Sequence, residues 1–228
     1  MKAEFDKFAK EYRTTHSTPL ALTGETSDFF AEYKAQKLAE WLPELLTHAP
    51  RTILDFGCGD GLMTNYIHQR FPAAKLYGCD PSAESIEVAQ KNHPSISFAV
   101  SGTTLPFKTA QFDVIVAAGV FHHIPFEEHT AYLQELDRAL APDGVLVLFE
   151  LNPFNPGTRY IFKHAPMDAN ATMLYPQYAR RILQPYGTIS TKFYGFFPHF
   201  LRKLRWTEKF LTKVPLGGLY AVFLQKTP

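Results

Sequence analysis

The stretch Leu54-Asp55-Phe56-Gly57-Cys58-Gly59-Asp60-Gly61 joins an apolar run ending in an acid to three glycines on alternate positions, and a helical pattern begins directly after it. It reads as strand, turn and helix. Glycine lets a backbone take positive φ and approach a ligand that a Cβ would hold off, and the first turn of the helix offers unpaired N–H groups. Asp80 stands 25 residues beyond Asp55, at the end of the next expected strand. A carboxylate there can accept hydrogen bonds from both hydroxyls of a ribose. Turn and acid together make a seat for a nucleoside-bearing cofactor, whereas a glycine turn alone is common in tight loops.

Further along, His122 and His123 are adjacent and His129 follows. As a metal set they are poor on paper, because adjacent histidines are expected to point in different directions and no cysteine or acid motif completes a ligand group. No metal is expected.

The elements that must position these residues follow from pattern. Alternating strand and helix signals predict a parallel sheet with crossover helices. Strands are expected at Arg51 to Phe56, Lys75 to Cys79, Ser95 to Val100, Phe112 to Ala118, Val145 to Phe149, Thr188 to Phe197 and Leu219 to Gln225. Helices are expected from Asp60 to Gln69, Ser82 to Lys91, Phe126 to Leu140 and Pro176 to Gln184. Ala141-Pro142-Asp143-Gly144 reads as the turn into strand five. Two helices precede the first strand, one around Phe5, Phe8, Ala9 and Tyr12 and one from about Ser27 to Leu45, with a loop at Thr14–Pro19 between them. They either fold over the open edge of the site or cover one face of the sheet.

Composition narrows the class. The chain has 228 residues, 46% of them hydrophobic, with 23 basic against 22 acidic residues, which suits one α/β domain with an appended cap and gives no global reason to bind nucleic acid. Two cysteines make no disulfide framework, the N-terminal Met-Lys-Ala-Glu-Phe-Asp-Lys lacks the apolar core of a signal peptide, and no apolar run approaches the roughly 20 residues of a membrane span. A cytoplasmic protein is the expectation.

Four segments carry a resemblance. They are Ile53 to Gly61, with glycines as G-x-G-x-G; Tyr77-Gly78-Cys79-Asp80-Pro81-Ser82; Leu105-Pro106-Phe107 followed by Phe112 to Ile124; and Ala141 to Leu146. Together these resemble the class I, seven-stranded S-adenosylmethionine-dependent methyltransferases, in particular the ubiquinone and menaquinone biosynthesis branch. The resemblance implies a mostly parallel seven-stranded α/β sheet with helices on both faces and an antiparallel last strand at the edge. It implies a lid at residues 1–48 and a methyltransferase domain at 49–228, with a substrate-side segment at 151–187.

It also implies S-adenosylmethionine as cofactor and S-adenosylhomocysteine as product. Gly57, Cys58, Gly59 and Gly61 would pass beneath the methionine part, Asp55 would face its amino group, and Asp80 with Pro81 would hold the ribose. Ser101, Gly102 and Thr103 take the adenine position, where that branch carries Asp-Ala. Ala118 and Gly119 would border the methyl group. A sulfonium methyl needs chiefly alignment and exclusion of water. If the acceptor is a phenol, enol or hydroxyl, a base helps, and His123 is the first candidate and His122 the second; the alternative is that the pair orients the loop.

For the acceptor, a small and partly apolar molecule is expected. Asn152 and Arg159, in an Asn-Pro-x-Asn-Pro-x-Thr-Arg run, are first choices for a polar grip, with Tyr33 and Tyr175 beside them and Tyr160, Phe162 and Tyr178 as further aromatic walls. Residues 200–213 read as a basic amphipathic helix, with leucines 201, 204 and 211 opposite Arg202, Lys203, Arg205, Lys209 and Lys213. That helix either docks peripherally on an anionic membrane or lipid, or packs its stripe on the sheet. Oligomeric state is not encoded in any pattern here. Competing functions are a catalytically silent cofactor-binding member and an NAD-dependent oxidoreductase. Cys58 and Cys79 are expected side by side at the cofactor floor.

Overall fold

The computed structural model describes residues 24–227. The helix expected around Phe5 to Tyr12 and the loop at Thr14–Pro19 lie outside them. The apolar runs form β1 (Thr52–Phe56), β2 (Lys75–Asp80), β3 (Ser97–Val100), β4 (Phe112–Ala118), β5 (Leu140–Leu151), β6 (Gly187–Tyr194) and β7 (Leu219–Lys226). They make one sheet of order β3-β2-β1-β4-β5-β7-β6. Strands β1 to β5 pair in parallel, and β7 is antiparallel to both of its neighbours. The last strand thus runs as expected, but it is inserted between β5 and β6, and β6 forms the edge.

The helices are α1 (Ser27–Trp41), α2 (Leu62–Arg70), α3 (Ala83–Asn92), α4 (His129–Ala139), α5 (Pro156–His164) and α6 (Pro176–Leu183). Because side chains alternate along a strand, the sheet feeds two cores. Leu54, Phe56, Ile115, Ala117 and Leu148 pack with Leu133 and Leu136 of α4 and Leu183 of α6. Ile53, Val114, Val116, Val147 and Phe149 pack on the other face with Leu38 and Trp41 of α1 and Ile67 of α2. Covered on both faces, the central strands need apolar residues at every position. Asp113 is the exception in β4: burial opposes its charge, but bonds from Arg51 N and Thr52 N at 2.7 and 3.0 Å outweigh that and hold the carboxyl below its usual range.

Helix α1 starts where the Thr26 hydroxyl accepts from Phe29 N at 3.1 Å, a cap worth about 1 kcal/mol. It is tied to α2 by Tyr66 to Asp28 at 2.6 Å and Arg70 to Glu32 at 3.1 Å. One helix therefore serves both roles expected of the N-terminal region: its later turns cover the sheet, and Phe29 to Lys34 reach the cavity described below.

Two local expectations are corrected. Ala141-Pro142-Asp143-Gly144 lies inside β5, since Leu140 already pairs with Phe112; the register then shifts, with Asp143 at φ 60°, as a bulge. The stretch expected as a helix over 200–213 is a run of 3-10 turns, His199–Phe210, broken at Leu201. Its leucines do not seal against the sheet: Leu201 and Leu204 are 38% and 42% exposed, whereas Glu208 is buried. Among the described residues no helix is long and apolar enough to cross a membrane.

Candidate active site

From β1 the chain builds β2 and β3 on one side and then returns to β4 on the other, so β1 and β4 part at their carboxyl ends. Such a crevice is where parallel sheets hold ligands. The glycine turn fills it, with φ of 75°, 53° and 79° at Gly57, Gly59 and Gly61. A Cβ on Gly57 would stand 2.4 Å from Val120 Cγ2, so no side chain fits there. The turn is pinned from β2. Gly57 N and Cys58 N donate to Cys79 O at 2.7 and 3.0 Å, and Gly59 N donates to Asp80 Oδ2 at 2.9 Å. Asp80 Oδ1 accepts from Ser82 N at 2.9 Å, so the acid expected at a ribose also builds the turn.

Two lobes open over this turn. The larger, of 460 Å³, is lined by Asp55, Gly57, Cys58 and Gly59, by Phe29, Phe30, Tyr33 and Lys34 of α1, by Thr158 and Tyr160 of α5, and by Phe196, Phe197 and Arg205. The smaller, of 170 Å³, is lined by Asp80, Pro81, Ser101, Gly102, Ala118, Gly119, His122, His123 and Asp168. Lys34, Gly57, Gly59, Ala118 and Leu151 border both. Gly61 stands back as the left-handed N-cap of α2, and Thr103 faces an adjoining groove with Pro81, Ser101 and Gly102. Phe56 pairs with Cys79, as expected of neighbouring strands, but only Cys58 reaches a lobe; Cys79 is sealed beneath, its thiol pushed up to about 12 by burial.

Burial raises Asp55 to about 6, against the pull of the Thr64 hydroxyl, which donates to it at 2.7 Å. Burial lowers Lys34, while Glu150 and Asp55 act to keep its ammonium charged. Nothing in the sequence marks Lys34 as a cavity residue, because it sits inside an ordinary amphipathic pattern, where a lysine looks like a solvated position. Glu150 is not marked either. Its Oε2 lies 2.6 Å from His122 Nδ1 and its Oε1 accepts from Phe121 N at 3.1 Å. Burial opposes charge on His122, but Glu150 and Asp168 prevail and raise it to about 9.

The two histidines do not diverge as expected. Their ring centroids are 4.1 Å apart, and each Nε2 lies 3.6 Å from Asp168 Oδ1. His129 stands outside this group, with Nε2 donating to Phe121 O and Ile124 O at 3.0 Å and Nδ1 accepting from Tyr178 at 2.9 Å.

The expected acceptor residues fare unevenly. Tyr33 lines the larger lobe, but its hydroxyl is committed to Glu208. Asn152 is fully buried, donating to Pro215 O and Gly217 O at 3.1 and 2.7 Å and accepting from Phe154 N at 3.1 Å. It is a loop clamp, not a ligand group. Arg159 and Tyr175 are exposed and line neither lobe. Of the further aromatic walls, only Tyr160 reaches the cavity.

Residues 53–144 match the sequence family described as a methyltransferase domain. The chain is 34% identical over 119 residues to a trans-aconitate 2-methyltransferase of Methylobacterium radiotolerans, covering 52% of this chain and 45% of that one. It is 33% identical over 136 residues to a malonyl-[acyl-carrier protein] O-methyltransferase of Halalkalibacterium halodurans, covering 55% and 48%. The chain thus spans about half the length of the curated relatives it matches. Among solved structures, a SAM-dependent methyltransferase of Thermotoga maritima, described as a possible histamine N-methyltransferase, aligns over 99% of both chains with TM-score 0.69 at 16% identity. One from Archaeoglobus fulgidus aligns over 86% of this chain and 94% of its own with TM-score 0.66 at 16% identity. The chain has the class I methyltransferase fold. These relatives do not single out the quinone-biosynthesis branch. The class I cradle fits S-adenosylmethionine: it offers a turn that only glycine can make at Gly57 and carboxylates at Asp55 and Asp80.

Proposed function

We propose that this protein is an S-adenosylmethionine-dependent methyltransferase acting on a small, partly apolar acceptor that bears an anionic or ionisable group. The wall shared by the two lobes, Gly57, Gly59, Ala118, Leu151 and Lys34, carries this reading. A donor seated at Asp80 and the glycine turn then meets an acceptor held among Phe29, Phe30, Phe196 and Phe197 across that shared wall. When bound, S-adenosylmethionine supplies a methyl group already activated on a sulfonium.

The protein's own tasks are to align and to keep dry. Asp80 and Ser101 serve the adenosine end, and Asp55, held by Thr64, serves the amino group. Lys34 faces both lobes and is placed to hold a carboxylate. Two relatives are named for trans-aconitate and for malonyl groups, both carboxylates, and of the two cations lining the larger lobe Arg205 is paired with Glu25 at 2.5 Å, which leaves Lys34 as the candidate grip. A carboxylate acceptor needs no proton removed, so the reading does not depend on a base at His123 or His122.

Calorimetric titration with S-adenosylmethionine, S-adenosylhomocysteine and NAD tests the donor, and labelled-methyl transfer to a panel of small carboxylic acids tests the acceptor. Binding of the first two and a labelled ester lost in Asp80→Ala are expected. NAD binding alone would overturn the reading, and donor binding without transfer to any metabolite fraction would leave a silent cofactor-binding protein.

A further inference from the structure

His122, His123 and Asp168 form a cluster on the wall of the smaller lobe. Glu150 accepts from His122 Nδ1 at 2.6 Å, which turns the ring so that Nε2 points at Asp168. That Nε2 and the Nε2 of His123 each lie 3.6 Å from the same oxygen, Asp168 Oδ1. This is too long for a hydrogen bond. It is, however, a separation that two bonds of about 2.1 Å to one shared cation span. All three ligand atoms lie within 4.8 Å of one another.

We propose that His122, His123 and Asp168 bind a divalent transition-metal ion of the zinc type, with an open coordination position facing the cavity. Four features support this. Two imidazoles and one carboxylate are the ligand set of catalytic zinc sites, whereas magnesium and calcium prefer all-oxygen sets. Glu150 supplies the carboxylate behind a ligating histidine that fixes its tautomer and ring orientation. Charge is compatible as well: the carboxylates of Glu150 and Asp168 both stand against the His122 ring. The frame is also tied, because Thr172 N donates to His122 O at 2.8 Å, fastening the segment after Asp168 to the histidine turn.

The three side chains are 6%, 16% and 9% exposed, so the site is enclosed yet open to the lobe. An ion there would take as its next ligand a water or an oxygen at the end of an acceptor that reaches past Ala118 from the larger lobe into the smaller one. That role rests on the proposed methyl transfer; the binding of metal does not.

The test uses the full chain dialysed against chelator and titrated with Co²⁺ and Zn²⁺. One equivalent of Co²⁺ should bind with visible d–d absorption, and Zn²⁺ should displace it. Asp168→Asn should abolish the absorption. Glu150→Gln, which keeps the shape behind the ring, should weaken Zn²⁺ binding roughly 10- to 100-fold. Circular dichroism and S-adenosylhomocysteine titration of the same samples report folding and the donor site separately. No stoichiometric Co²⁺ spectrum in a folded natural chain would overturn the site, as would an unchanged affinity in Asp168→Asn. Either result, with S-adenosylhomocysteine still bound, would leave the methyltransferase reading standing.

Discussion

Asp55 is a carboxyl whose charge the cavity controls. Burial raises it to about 6 from an ordinary value of 3.8, so folding favours its protonated form. The stability this group contributes is therefore full below about pH 4 and is lost as pH rises through about 6. A cationic amino group placed beside it favours the ionised form, so donor binding below about pH 6 must release a proton. Affinity for S-adenosylmethionine should fall as pH drops from 7 to 5, approaching about tenfold per unit below 6, and Asp55→Asn should bind more weakly at pH 8 with a flatter profile. Calorimetry across that range checks this; an equal slope in the variant would assign the proton elsewhere. Asp55, Asp80 and Gly57 were legible in the sequence because their requirements are local: a left-handed backbone demands glycine, and a strand end fixes where an acid points. Asn152 and Arg159 were not, since Asn152 is turned inward by carbonyls at Pro215 and Gly217, more than 60 residues on.

At the scale of elements, α1 and the 3-10 run His199–Phe210 clasp each other over the larger lobe. Glu208 accepts from the Tyr33 hydroxyl and from Phe196 N at 2.9 Å. Arg205 donates to Phe197 O at 3.0 Å and lies 4.5 Å from the Phe29 ring centroid. Burial and the neighbouring Glu208 both push the Tyr33 hydroxyl far above its ordinary range, so it stays a donor at any working pH. Tyr33→Phe should cost about 1.5–3 kcal/mol, the worth of a hydrogen bond to a charged group, and loosen residues 195–212. Thermal melting and amide exchange measure this; an unchanged Tm with unchanged exchange would show that the clasp does not hold that segment. Reading 200–213 at a helical period failed for a physical reason. The spacing of Leu201 and Leu204, three apart, suits a 3-10 run as well as an α-helix, and Glu208 is buried against Tyr33, distant in sequence.

The whole molecule divides in the same way. A parallel sheet with β1 beside β2 follows from repeated strand and helix units, so it could be read in advance, although β7 lies inside the edge at which it was expected. Which segments meet over the crevice could not, because α1, the end of β5, α5 and residues 195–219 come together only through tertiary packing. A ligand bound across such a junction should couple its parts. Binding to the folded state alone stabilises by about 2.7 kcal/mol when the ligand is at 100 times its Kd. S-adenosylhomocysteine should therefore raise Tm and slow exchange at Phe29 to Leu38 and at 195–210 more than at Leu133 to Leu136, which pack in the opposite core. Should Tm rise while α1 and 195–210 exchange as before, the ligand's stabilisation would be confined to the glycine turn and Asp80. The acceptor lobe would then be closed by a separate event, the arrival of the acceptor itself.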